Sequence, residues 1–88
     1  MKIKYKKQFL KELSKLPPPY QARVEELVFE FIPNENNLDI MKRVSKLKGY
    51  DNYYKIRVGD YRIGLYIEAD SLEFKRVLHR KDIYRYFP

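Results

Sequence analysis

The stretch "YYKIRVGDYRIGLYI", residues 53–67, decides the fold of this chain. Apolar and polar residues alternate on both sides of Gly59-Asp60, the period-two pattern of a strand with one buried face. A two-residue loop with glycine favours the positive φ of a tight hairpin turn. With Gly59-Asp60 as the turn, Val58 pairs with Tyr61, Ile56 with Ile63 and Tyr54 with Leu65. These six residues share one face, which belongs against the helices. The other face carries Arg57 opposite Arg62, Lys55 opposite Gly64 and Tyr53 opposite Tyr66. Two facing arginines repel unless an anion sits over them, and Gly64 is expected to leave the face open beside Lys55. A cationic, aromatic-flanked sheet face is a means of gripping a phosphate backbone and stacking bases. It is also, more plainly, how many sheets stay soluble on their outer side.

Working outward, "KIKY" (2–5) reads as a short edge strand, and Phe9, Leu10, Leu13 and Leu16 recur at helical spacing. The prolines at 17–19 end that helix, and the last of them suits the first turn of the next. Val24, Leu27, Val28 and Phe31 form the stripe of a second helix, which Pro33 ends, so the two helices make an antiparallel hairpin. Residues 34–43 are polar and read as a connection, tacked down by Leu38, Ile40 and Met41. A short strand in "VSKLKG" (44–49) ends at Gly49, and "SLEFKRVLH" (71–79) supplies another. The expected fold is α+β in a single domain spanning 1–88. It has an amino-terminal strand and helical hairpin packed on an antiparallel sheet of about four strands, with a short carboxyl-terminal helical turn. Tyr54, Ile56, Val58, Ile63 and Leu65 should be buried with Leu13, Leu27, Val28 and Phe31.

Composition limits what such a domain can do. Hydrophobic residues make up 44% of the 88 and aromatics 16%, enough for a core without disulfide or metal staples. Cysteine is absent, which removes thiol chemistry and fits a reducing compartment. No apolar run reaches the roughly 20 residues of a membrane span, so a soluble, cytoplasmic protein is expected. The net charge is +7, and it is lopsided: residues 1–40 carry 7 Lys/Arg against 6 Asp/Glu, residues 41–88 carry 12 against 6. A polyanionic partner, nucleic acid or acidic protein, follows from that asymmetry. No histidine pair or acidic cluster has metal-ligand spacing. The glycines are too scattered for a phosphate loop and the serines lie in no nucleophile motif. No metal and no small-molecule cofactor is expected.

The last residues, "VLHRKDIYRYFP" (77–88), concentrate chemistry. Histidine is the side chain whose free pKa lies nearest neutrality, and His79 stands beside Arg80 and five residues before Tyr84. An imidazole, a guanidinium and a phenol at one phosphate would suit RNA cleavage by its own 2′-OH, which needs proton transfer and fixed cations but no metal. The bland alternative is a solvated basic helix anchored by its aromatic residues.

Taken together, "LKG" (47–49), "YKIRVGDYRI" (54–63) and "HRKDIY" (79–84) resemble the RelE/ParE superfamily of toxin–antitoxin toxins, most closely its RelE branch. The resemblance covers essentially the whole chain. It implies a ribosome-dependent endoribonuclease that enters the decoding site and cuts messenger RNA by 2′-OH attack. It places catalytic roles on Arg62, Arg80 and Tyr84. Lys55 and Arg57 match RNA-binding positions of the preceding strand, with Lys46, Lys48 and Lys81 as further cationic contacts. His79 falls on a position that is histidine in some branches only. The resemblance also implies a cognate acidic, partly disordered antitoxin that neutralises the basic face. Two other functions remain open: a ParE-like DNA gyrase inhibitor, against which Tyr84 argues, and a non-catalytic basic binding module.

Overall fold

The computed structural model describes residues 1–88, all of the chain. Its elements run β1 (Lys2–Tyr5), α1 (Lys7–Leu13), α2 (Pro18–Glu26), α3 (Asn37–Arg43), β2 (Ser45–Lys46), β3 (Tyr53–Val58), β4 (Tyr61–Glu68), β5 (Ser71–His79) and α4 (Ile83–Tyr86). The hairpin has the expected register, from Tyr53 opposite Tyr66 to Val58 opposite Tyr61. Gly59 has φ 57° and Asp60 no positive φ, as in a II′ turn. The ring of Tyr20, at the start of α2, lies where a Cβ on Gly59 would be (2.7 Å).

The sheet differs from expectation in one respect. It has five strands in the order β1-β5-β4-β3-β2, and β1 runs parallel to its neighbour β5 while the other pairs are antiparallel. A parallel pairing requires a long crossover, here everything from α1 to β4. Beyond Phe74, β5 loses β1 as a partner because the chain turns into α1. Glu12 of α1 takes over: its carboxylate accepts from the Val77 N–H (3.1 Å) and from the Arg76 guanidinium (2.6 and 3.0 Å). Between Gly64 and Leu65 of β4 the partner steps from Arg76 to Phe74, so Lys75 is the extra residue of a bulge in β5 and changes the phase of that strand. Phe74 and Val77 consequently both face the core, while Lys75 and Arg76 reach Tyr66 and Tyr86 on the outer side.

The main core lies between the helices and the inner sheet face: Phe9, Leu13, Val24, Val28 and Ile32 against Ile56, Val58, Ile63, Leu65 and Phe74. Tyr54 and Leu27 are half-buried at its margin. Phe31 is not in it, being 48% exposed. After Glu26 the backbone widens into a π turn (Leu27–Phe31) and then tightens into a 3-10 turn (Ile32–Asn34) around Pro33. The wider turn brings residues four apart into line, so Val24, Val28 and Ile32 form the buried row and Phe31 rotates outward. Residues 37–43 are a helix and not a plain connection. Asn36 caps it, its side chain accepting from the Asp39 N–H (2.8 Å). Only Ile40 is buried; Leu38 and Met41 stay exposed.

Candidate functional site

The outer face of the sheet carries the residues singled out above, and α4 folds back across it. Ile83 and Phe87 are buried there with Leu47, against Tyr53 and Leu78, in a small second core. Gly64 is not an opening. A Cβ on it would lie 2.8 Å from three atoms of the Phe87 ring, so the missing side chain makes room for that phenyl. Arg76 ties the same segment down, donating to the Tyr86 carbonyl (3.2 Å) as well as to Glu12.

With Ile83 turned inward, the next residue on a four-residue helix points out, and Tyr84 is 58% exposed. Its hydroxyl oxygen accepts from the Lys55 ammonium at 2.6 Å. The same ammonium lies 5.0 Å from the ring centroid. An ammonium that close to the oxygen and that far from the centroid lies off the ring edge, so the contact is a charge-assisted hydrogen bond and not a cation–π one. With the oxygen accepting from Lys55, the phenolic proton is free to be donated elsewhere. Around this pair Lys48, Tyr50, Leu47, Phe87 and Pro88 line an open pocket of about 360 Å³. No histidine or acidic side chain lines it, and no cluster of three acids or histidines in the chain is placed to hold a metal ion.

The other candidates fall into separate groups. Arg62 faces Arg57 across the hairpin, but its guanidinium folds onto the turn, donating to the carbonyls of Gly59 (2.8 Å) and Tyr61 (2.9 Å). Arg80 also stands at the turn: its N–H donates to the Asp60 carbonyl (2.8 Å) and its Nε lies 3.9 Å from the Asp60 carboxylate. The Tyr84 hydroxyl is thus held by Lys55 and not by either arginine. Arg57 is exposed and borders a cleft with Arg23 and Arg43. Lys46 pairs with Asp51 (3.5 Å), and Lys81 is exposed. His79 is apart from all of these. It pairs with Tyr61, its ring stands edge-on to that tyrosine, and the two border a cleft with Lys15 and Leu16 beside the helices. Its Nδ1 accepts from the Lys81 N–H (3.1 Å), a turn-closing contact. The residue that sequence reasoning missed is Tyr50, set on the pocket rim by the positive φ of Gly49 (86°).

Residues 3–84 match the family model described as the ParE toxin of type II toxin–antitoxin systems. A helical pair on one side of a mixed sheet, and a basic outer face crossed by a terminal tyrosine-bearing turn, define the same class. The chain belongs to the RelE/ParE superfamily. Within it the chain is a toxin of RelE type, 47% identical to Toxin RelE3 of Methanocaldococcus jannaschii over the full length of both. It also superposes on the toxin of the RelB–RelE antitoxin–toxin complex from Methanococcus jannaschii (45% identity, TM-score 0.79, 97% of this chain and 99% of that one). The archaeal RelE–RelB complex from Pyrococcus horikoshii gives 26% identity and a TM-score of 0.67 over 93% and 97%. No helix is long and apolar enough to cross a membrane.

Proposed function

We propose that this toxin is an endoribonuclease that cuts messenger RNA on the ribosome and so stops translation. The observation that carries the reading is the exposed Tyr84 phenol, fixed by Lys55 at the edge of a cationic pocket. The ribose 2′-OH gives its proton to solvent water as its oxygen attacks the adjacent phosphorus, the bond to the 5′-oxygen breaks, and the products are a 2′,3′-cyclic phosphate and a 5′-hydroxyl. Tyr84 gives its proton to the departing 5′-oxygen, a role worth roughly 10²–10⁴ in rate, and regains one from solvent. Lys48 and Lys55 stabilise charge on the phosphorane, while Arg57 and Arg62, farther along the hairpin, add to the positive field that draws the strand to this face. The lysines' contribution is the larger one where no acidic side chain or imidazole stands by to take the 2′-OH proton. Arg80 and Lys81 extend the same field. An acidic antitoxin is the natural partner for this face; the archaeal RelE proteins it resembles are found in complex with RelB.

One observation favours a second reading, gyrase inhibition: the family model that matches bears the ParE name. Induced expression in a bacterial host with mapping of transcript ends separates the two. Codon-phased cuts in messenger RNA are the expected result, whereas DNA breaks with an SOS response would establish the second reading. Neither outcome would leave a binding module. On ribosomes, single-turnover cleavage compared across Tyr84→Phe, Tyr84→Ala and His79→Ala assigns the chemistry. Tyr84→Phe should lose it, and His79→Ala should lose less because His79 faces the helices.

A further inference from the structure

The segment Phe87-Pro88 is a ridge with a pocket on each side. One is the Lys55–Tyr84 pocket; the other, of about 240 Å³, is lined by Lys6, Gln8, Tyr53, Lys75, Arg76 and Tyr86 together with the ridge itself. We propose that this second pocket is a subsite for one nucleotide of single-stranded RNA, the neighbour of the nucleotides that are cut. The inference rests on the endoribonuclease reading and adds where the strand runs.

Three observations carry it. The side-chain charges are one-sided: Lys6, Lys75 and Arg76 line the pocket and no acidic side chain does. Arg76 is saturated by Glu12 and the Tyr86 carbonyl and acts as a fixed wall. Lys75 keeps one ammonium contact, with Glu73 (3.1 Å), and lies over the Tyr66 ring (5.6 Å). The exposed Lys6 ammonium makes no ion pair, so Lys6 and Lys75 are the groups available to a phosphate. The second observation is aromatic. Tyr86 is 51% exposed on the wall, and Tyr53 contacts Tyr50, Tyr66 and Phe87 at 5.0–6.2 Å. Rings of this kind stack bases without regard to sequence. The third is continuity, since Phe87 and Pro88 belong to both pockets. A strand with its scissile phosphate at Tyr84 crosses the ridge and puts its next nucleotide between Lys6, Lys75 and Tyr86.

The test uses the full chain and RNA oligonucleotides of stepped length, 2′-O-methylated throughout so that they cannot be cut. Binding is followed by fluorescence anisotropy across a salt series. The unaltered chain should bind more tightly as the oligonucleotide grows long enough to reach the second pocket. Lys6→Ala/Lys75→Ala should abolish that gain, weaken binding about tenfold, and lower the salt slope by about 1.4, the release expected from two phosphate contacts on a single strand. Tyr86→Ala should weaken binding roughly five- to a hundredfold with the slope unchanged. Lys11→Ala/Lys15→Ala removes the same charge away from the pocket and should leave the length dependence intact. Equal binding by the Lys6/Lys75 variant overturns the inference, as does an unaltered chain that gains nothing from length. If the variant holds RNA normally but loses only its neutralisation by antitoxin, the pocket is a protein-docking site and the inference is wrong. The transcript-end assay decides the endoribonuclease reading separately, so the two can fail independently.

Discussion

Gly64→Ala is the smallest change that should uncouple the terminal turn from the sheet. Gly64 does not occupy the left-handed region, so backbone strain plays no part and the effect is steric. The added methyl would stand 2.8 Å from Cγ, Cδ1 and Cδ2 of Phe87. Carbon atoms settle at about 3.5–4.0 Å, so the ring must recede by about 0.7–1.2 Å. It cannot slide sideways past Tyr53, Leu47 and Ile83, and therefore rises from the sheet with its neighbours. Overpacking of this kind costs about 1–3 kcal/mol. The cost is capped by simply releasing the ring, since burying a phenylalanine is worth about 1.5–3 kcal/mol. About 2 kcal/mol is expected, or a fall in Tm of roughly 8–16 °C for a domain of this size. A displacement near 1 Å also carries Tyr84 away from Lys55, and misplacement on that scale costs about 10²-fold in rate. Urea denaturation and single-turnover cleavage read the two effects. Phe87→Ala should cost stability by itself and make Gly64→Ala nearly neutral, a coupling of about 2 kcal/mol in the double-mutant cycle. If Gly64→Ala costs as much without the Phe87 ring as with it, the steric argument is wrong.

Two further outcomes follow from polar contacts. Glu12→Ala strands the Arg76 guanidinium and the Val77 N–H together and should cost about 2–4 kcal/mol in chemical denaturation, whereas Glu12→Gln keeps an acceptor for the strand edge and should recover part of it. The Arg43 guanidinium bonded to Glu35 holds that carboxyl below the usual carboxylate value of 4.5. Its stabilisation is complete above the unfolded value and disappears as pH falls through the lower folded one. Acid titration of stability should show a small loss below pH 4.5 that Glu35→Gln lacks, small because solvent screens the pair.

The hairpin was legible because alternation, a glycine turn and short range all act within 15 residues; its pairing partners and two faces could be read directly. What failed to show was long-range or depended on backbone irregularity. Nothing local in "KIKY" says that it will pair with residues 71–74, and nothing in Gly64 says that residue 87 will cover it. The π turn that exchanged Phe31 for Ile32 breaks the period on which helical reading depends. The helix at 37–43 did leave a trace, Asn36 three residues before Asp39, but its polar surface outweighed it. At the site, Lys55, Lys48 and Tyr84 were all identified from the sequence, yet their grouping was not. The arginines were expected at Tyr84 and instead hold the hairpin turn, and one step along β5 sends His79 to the opposite side from Leu78.

The parallel pairing of the first strand with β5 has a bearing on synthesis. β5 is an interior strand that joins β1 to β4, and it is encoded last among the strands. A chain whose translation stops before residue 71 has a hairpin and helices but no sheet to bring the two ends together, and it lacks Tyr84 altogether. Folding must wait for contacts between the beginning and the end of the message, the slow kind of closure. The outer face is therefore assembled late: Lys55 and its neighbours come to stand on a complete sheet only once residues 71–79 are available to join the first strand to the hairpin.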